Sequence, residues 1–155
     1  MDLRLAIVMK PIESAKVVAV VLLCFVSSVL SGSEFPDPCR DKKSNVEMRE
    51  CYLNEQARVN ADTDLLANHI GAGFRKQAQD PALGPGVTDS LRKAASGVTR
   101  SQKAWKAYRD QHCNTVADSW TTGSGAGTAY ERCLFQLGQA RLQELHSSFI
   151  LPEPK

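Results

Sequence analysis

Five cysteines, three histidines and a few charged residues set among apolar ones are the groups in this 155-residue chain that bear on chemistry. Cys24 lies inside an uncharged stretch, Val17–Leu30, and is set apart from the rest. The other four are Cys39, Cys51, Cys113 and Cys133. As free thiols they would be nucleophiles or metal ligands; as an even set in an exported chain they point to disulfides, with three pairings open. A zinc site would need closely spaced ligands, but no CxxC occurs and His112 merely adjoins Cys113. His69, His112 and His146 have no nucleophile placed beside them by the sequence, and there is no GxSxG, HExxH, phosphate loop or dinucleotide fingerprint. Asp62 and Asp64 are two apart, so on a helix their carboxylates diverge. These residues predict no catalytic group, no metal and no cofactor, and so a protein that is not an enzyme.

Charged residues in apolar stripes need partners, because an unpaired buried charge is very costly. Arg109 falls between the directions of Trp105 and Cys113, Arg141 lies beside Leu137 and Leu145, and Asp62 borders the stripe of the preceding helix. The expected arrangement is a structural ion pair of Asp62 with Arg109 or Arg141, with Asp110 as a second partner, fixing helix register.

The elements that position these groups begin after residue 33. Lys10 and Lys16 precede the fourteen-residue uncharged run, and Ser31-Gly32-Ser33 follows it, the order of a secretory signal peptide. The run is too short to span a bilayer comfortably. Leu23 is too large for the lipoprotein processing site that Cys24 would otherwise suggest, so Cys24 is expected to be lost with the signal. Met9-Lys10-Pro11 makes a more typical beginning than Met1, and N-terminal sequencing of the unprocessed form decides between the two. The expected organisation is a signal peptide over 1–33, an extended lead-in over 34–43, a helical domain over 44–150 and a tail over 151–155. Removing the signal leaves 122 residues, 16 of them Lys or Arg and 15 Asp or Glu, a net charge of +1. That balance excludes the basic footprint of a nucleic-acid binder. The mature part is expected in the periplasm or outside the cell, with no stable membrane span.

Three amphipathic helices account for the helical domain. Ser44-Asn45-Val46-Glu47 has the form of a capping box, and Met48, Tyr52, Val59, Leu66, Ile70 and Phe74 fall on one helical stripe up to Asp80-Pro81. Gly71 and Gly73 are expected to weaken or bend the far end. Thr88 or Asp89 can cap a second helix with a stripe of Leu91, Ala94, Val98, Trp105, Tyr108, His112 and Val116, ending near Asp118. After the small-residue stretch Thr121–Gly127, Thr128-Ala129-Tyr130-Glu131 forms a second capping box, followed by Tyr130, Cys133, Leu134, Leu137 and Leu145. The fold class is therefore all-α, a small three-helix antiparallel bundle. Cys113 and Cys133 stand equally far from the intervening turn, so their pairing is favoured and Cys39–Cys51 follows by exclusion. Each bridge is expected to stabilise by about 2–4 kcal/mol.

The segment from Ser101 to Cys113, SQKAWKAYRDQHC, resembles the AQxxWxxYRDxxC segment of the LprI-like family of lysozyme inhibitors. Cys39 and Cys51 match that family's first cysteine pair, Ala61–Leu65 its aDxxL motif, and Cys133, Arg141 and Leu145 its closing segment. The chain departs from the pattern at Leu66, His69 and Gly138, where the family usually carries Asn, Tyr and Thr. The resemblance implies a secreted helical domain that binds and inhibits lysozyme. Blocking a glycosidase cleft calls for a protrusion that meets its two carboxylates. The candidate is the Ser119–Gly127 loop, with Ser119, Trp120, Thr121, Thr122 and Ser124, and Trp120 as its aromatic anchor; as a plain helix–helix connection it would have no such role. The expected partner is a protein, lysozyme or a related wall-degrading enzyme. The alternatives are an immunity-type protein neutralising a toxin delivered to the periplasm, and an envelope structural or stress protein that inhibits nothing.

Overall fold

A computed structural model describes residues 36–121 and 123–149. The expected signal peptide, the Met9 start, Thr122 and the 151–155 tail lie outside the described residues. The first helix, α1 (Asn45–Gln77), follows from its cap. Ser44 is extended, with φ −127° and ψ 155°, and its hydroxyl accepts from the Glu47 amide at 3.2 Å. The Glu47 carboxylate reaches back one residue further than a regular capping box, accepting from the Lys43 amide at 3.1 Å. The helix runs unbroken through Gly71 and Gly73.

The second helix, α2 (Pro85–Asp118), starts three residues before the expected Thr88 cap. Gly84 is its N-cap and Pro85 opens it, because proline has the right φ and no amide hydrogen to leave unpaired. The third helix, α3 (Ala126–Ser148), likewise begins ahead of its expected Thr128 cap. Thr128 is buried, and its hydroxyl donates to the Asn45 carbonyl at 3.1 Å, tying the start of α3 to the start of α1.

All three helices pack on one another as an antiparallel bundle. Its apolar interior comes in three pieces. Cys39, Tyr52, Val59 and Phe135 join the lead-in to α1 and α3. Ala67, Ile70, Val98 and Leu145 fill the middle and far part. Cys113, Cys133 and Leu134 close the α2–α3 side. At Gly138 α3 comes close to α1, since a Cβ there would stand 2.8 Å from Val59 Cγ1. The two disulfides are Cys39–Cys51 and Cys113–Cys133, as the spacing predicts.

The lead-in is held by one carboxylate. Asp37 accepts from the Tyr52 hydroxyl at 2.7 Å and from the Cys39 amide at 3.0 Å, and lies 3.3 Å from the Arg132 guanidinium. Burial, and then the bond to Asp37, push the Tyr52 hydroxyl up to about 12, so it stays a donor well into the alkaline range.

Candidate functional site

The charged residues singled out in the sequence form a polar layer, not the pair expected of Asp62. Asp62 is about half exposed, and its ion-pair partner among the described residues is Arg58 of its own helix, at 3.6 Å. The carboxylate that crosses to α2 is Asp64, because two residues turn a helix by more than half a revolution. Asp64 accepts from Gln102 Nε2 at 3.1 Å and from Lys106 Nζ at 2.5 Å. Gln102 in turn accepts from Arg141 Nε at 3.2 Å. Arg141, only 8% exposed in its side chain, is completed by Ser101 Oγ at 3.2 Å and Glu144 at 2.9 Å. Arg109 meets Asp110 at 2.6 Å and donates to Asn60 Oδ1 across the α1–α2 interface. Both guanidinium carbons stand over the Trp105 ring, at 5.1 and 5.9 Å, so the indole adds cation–π attraction to both. Among the described residues no buried side-chain polar atom lacks a partner.

Burial of Cys113 and partial burial of Arg109 turn the expected α2 stripe. Tyr108 and His112 lie outside the core and stack on each other with ring centres 5.6 Å apart. His69 and His146 share a shallow pocket with Asp62, Leu65, Leu66 and Leu142, a lining without hydroxyl, thiol or amine. Among the described residues no cluster of three or more His, Cys, Asp or Glu is arranged to hold a metal.

An apolar concavity lies at the end of the bundle where α1 begins, α2 ends and α3 begins. It is a groove of about 610 Å³, floored by Met48, Val116, Leu137 and Cys133. Trp120, 52% exposed, forms one wall. Its ring lies against Gly125, where a Cβ would come within 2.7 Å of the indole. Thr121 adopts the left-handed region at φ 51°, and the Gly123 amide donates to the Trp120 carbonyl at 3.0 Å. On either side of Thr122 the connection is held back on itself, through the Trp120 ring on Gly125 and the Gly123 bond to the Trp120 carbonyl. Ser119 closes α2 by donating to the Val116 carbonyl at 2.6 Å, and Ser124 lines the groove. A second apolar depression shares Asn45, Ser124 and Thr128 with it and includes the exposed Val46 and Leu53. Sequence reasoning named the loop but missed the groove, whose residues come from three helices.

Glu131, buried on α3, completes this end. Burial pushes its carboxyl above the usual range, and Arg49 pulls it partly back. The folded state therefore holds that proton more tightly than the unfolded chain, and the fold loses stability as the pH climbs past the ordinary carboxylate value. Glu131→Gln should gain on the wild type as the pH is raised from about 4 to 7, checked by urea unfolding at each pH.

The comparisons with known proteins fit this geometry. The family model described as lysozyme inhibitor LprI matches residues 39–145, from the first disulfide to the last buried leucine of α3. The chain belongs to the LprI lysozyme-inhibitor family. An uncharacterized protein of Rhizobium meliloti (strain 1021) is 26% identical over 124 residues, covering 80% of this chain and 86% of that protein. No solved structure matches. The residues that carry the likeness to the LprI family build the scaffold: Trp105, Arg109 and Arg141 make the polar layer, and Cys113 and Cys133 the staple.

Proposed function

We propose that this protein is an exported binding protein that inhibits lysozyme or a related cell-wall hydrolase by protein–protein contact. Membership of the LprI family over residues 39–145 carries the reading. Two disulfides suit an oxidising compartment outside the cytoplasm. Among the described residues no helix is long and apolar enough to cross a membrane. The half-exposed Trp120 beside an apolar groove is the kind of feature that dominates interface energetics. The oxidised protein, exported and purified from an expressing host, is expected to form a complex with lysozyme and to suppress lysis of bacterial cells. Absence of a complex at micromolar concentrations overturns the proposal.

One observation favours a second reading. A net charge of +1 on the expected mature chain gives no long-range attraction to a strongly basic lysozyme. An immunity-type protein neutralising a toxin delivered to the periplasm meets that point, and co-purification of an enzyme other than a lysozyme selects it.

A further inference from the structure

The groove is more specific than a general apolar patch. Its floor is Met48, Val116, Leu137 and Cys133, the last held from beneath by its bond to Cys113, and no aspartate or glutamate stands among its lining residues. Arg132 is the one arginine or lysine among those lining residues, which also include His112, and its side chain is 50% exposed. A guanidinium has five donors in a fixed fork. Asp37 meets one of its nitrogens at 3.3 Å, and that carboxylate also serves the Tyr52 hydroxyl. Arg132 is therefore anchored at one edge with further donors in hand. Trp120 is spent as a wall, because its ring is docked on Gly125. Of the six large hydrophobic side chains exposed among the described residues, Val46, Leu53 and Trp120 border this groove or the depression beside it. Contiguous apolar exposure of this kind marks a contact surface.

We infer that the groove is the receiving half of the inhibitory interface, taking from the partner protein an apolar side chain that sits beside a carboxylate. The apolar group rests on Met48, Val116 and Leu137 against the Trp120 wall, and the carboxylate takes the free fork of Arg132 in a charge-assisted pair. Complementarity fixes the sign of the occupant: a groove with one arginine and no carboxylate disfavours a basic segment. The inference rests on the reading of this protein as an inhibitor of a wall hydrolase. It reverses one part of the expectation from sequence, since the partner enters this protein and the Trp120 loop does not enter the partner.

Inhibition titrations with lysozyme test it on three variants of the full exported, oxidised protein. Ala129→Phe fills the groove and Arg132→Gln removes its cation; each is expected to weaken inhibition by about tenfold or more, the scale of one charge-assisted contact or one blocked pocket. Leu65→Ser, far along α1, is expected to stay within about twofold. If the wild type inhibits and both groove variants match it, the groove assignment is wrong while the inhibitor reading stands. If the wild type does not inhibit lysozyme, the inhibitor reading falls, and the groove is judged by amide chemical shifts on adding N-acetylphenylalanine or its amide at up to about 10 mM. Shifts at Met48, Val116 and Arg132, at least about fivefold stronger in affinity for the acid, support the assigned chemistry. No shifts there, or equal affinity for the amide, overturn it.

Discussion

Phe135→Ala is expected to lower the unfolding free energy by about 3–5 kcal/mol, a large part of the total for a domain of this size. Phe135 is 2% exposed and lies with its ring centre 6.0 Å from that of Tyr52. It is the α3 residue in the cluster with Cys39, Tyr52 and Val59, so its loss opens a void among the lead-in, α1 and α3. The cost of such a void depends on how far the walls can collapse. Here they cannot move freely: Cys39 is bonded to Cys51, and Tyr52 is bonded to Asp37, which also contacts Arg132. The upper half of the range follows. Urea unfolding of the oxidised protein checks it, with Phe135→Leu losing less than about 1.5 kcal/mol because most of the volume is kept. A Phe135→Ala loss near 1 kcal/mol would mean that the cluster is not the keystone of the α1–α3 interface.

Replacing Cys113 and Cys133 together by alanine should lower stability by about 3 kcal/mol and the melting temperature by roughly 10–20 °C. The bridge spans 20 residues of sequence and removes loop-closure freedom from the unfolded chain. Alanine keeps the interior apolar where Cys113 is fully buried, so the measured change reports the lost link more than a new buried polar group. Thermal unfolding of the double variant and of the wild type measures the drop. The Cys39 and Cys51 pair, 12 residues apart, should yield a slightly smaller loss by the same reasoning. If the first double variant melts within about 3 °C of the wild type, the α2–α3 turn is held by Ser119, Gly123 and the packing of Val116 and Leu137 alone.

Much of the architecture is legible in the residues themselves. Ser44 with Glu47 marks the start of α1, Asp80-Pro81 falls in the break between α1 and α2, and the symmetry of Cys113 and Cys133 about their turn gives the pairing. What the sequence conceals is helix phase. α1 packs against two helices and so has two buried directions; a single stripe cannot tell Asp62 from Asp64, which point apart. On α2, Tyr108 and His112 have the composition of a core stripe, yet Arg109 and Cys113 take the interior. A mostly covered arginine is tolerated there because Asn60, Asp110 and the Trp105 face together replace much of its water. The cap expected at Thr128 fails for a related reason: its hydroxyl bonds across to the Asn45 carbonyl, a partner 83 positions earlier that local pattern cannot reveal. The groove is hidden most fully, since Met48, Val116, Trp120 and Leu137 become neighbours only when three helices are assembled.

Each disulfide closes a loop within its own neighbourhood, and neither bond joins α1 to the α2–α3 hairpin. Apart from the backbone running through Asp80–Gly84, the chain is covalently two pieces. A single cut in that turn would yield one peptide carrying α1 with its looped lead-in and another carrying the stapled hairpin. Their cohesion would rest on the Asp64–Gln102–Arg141 chain, the Thr128–Asn45 bond and the apolar interior. The groove draws Met48 from the first piece and Val116, Trp120, Arg132 and Leu137 from the second. A contact surface built on this groove therefore needs both pieces in place, and a cut that let them part would dismantle it.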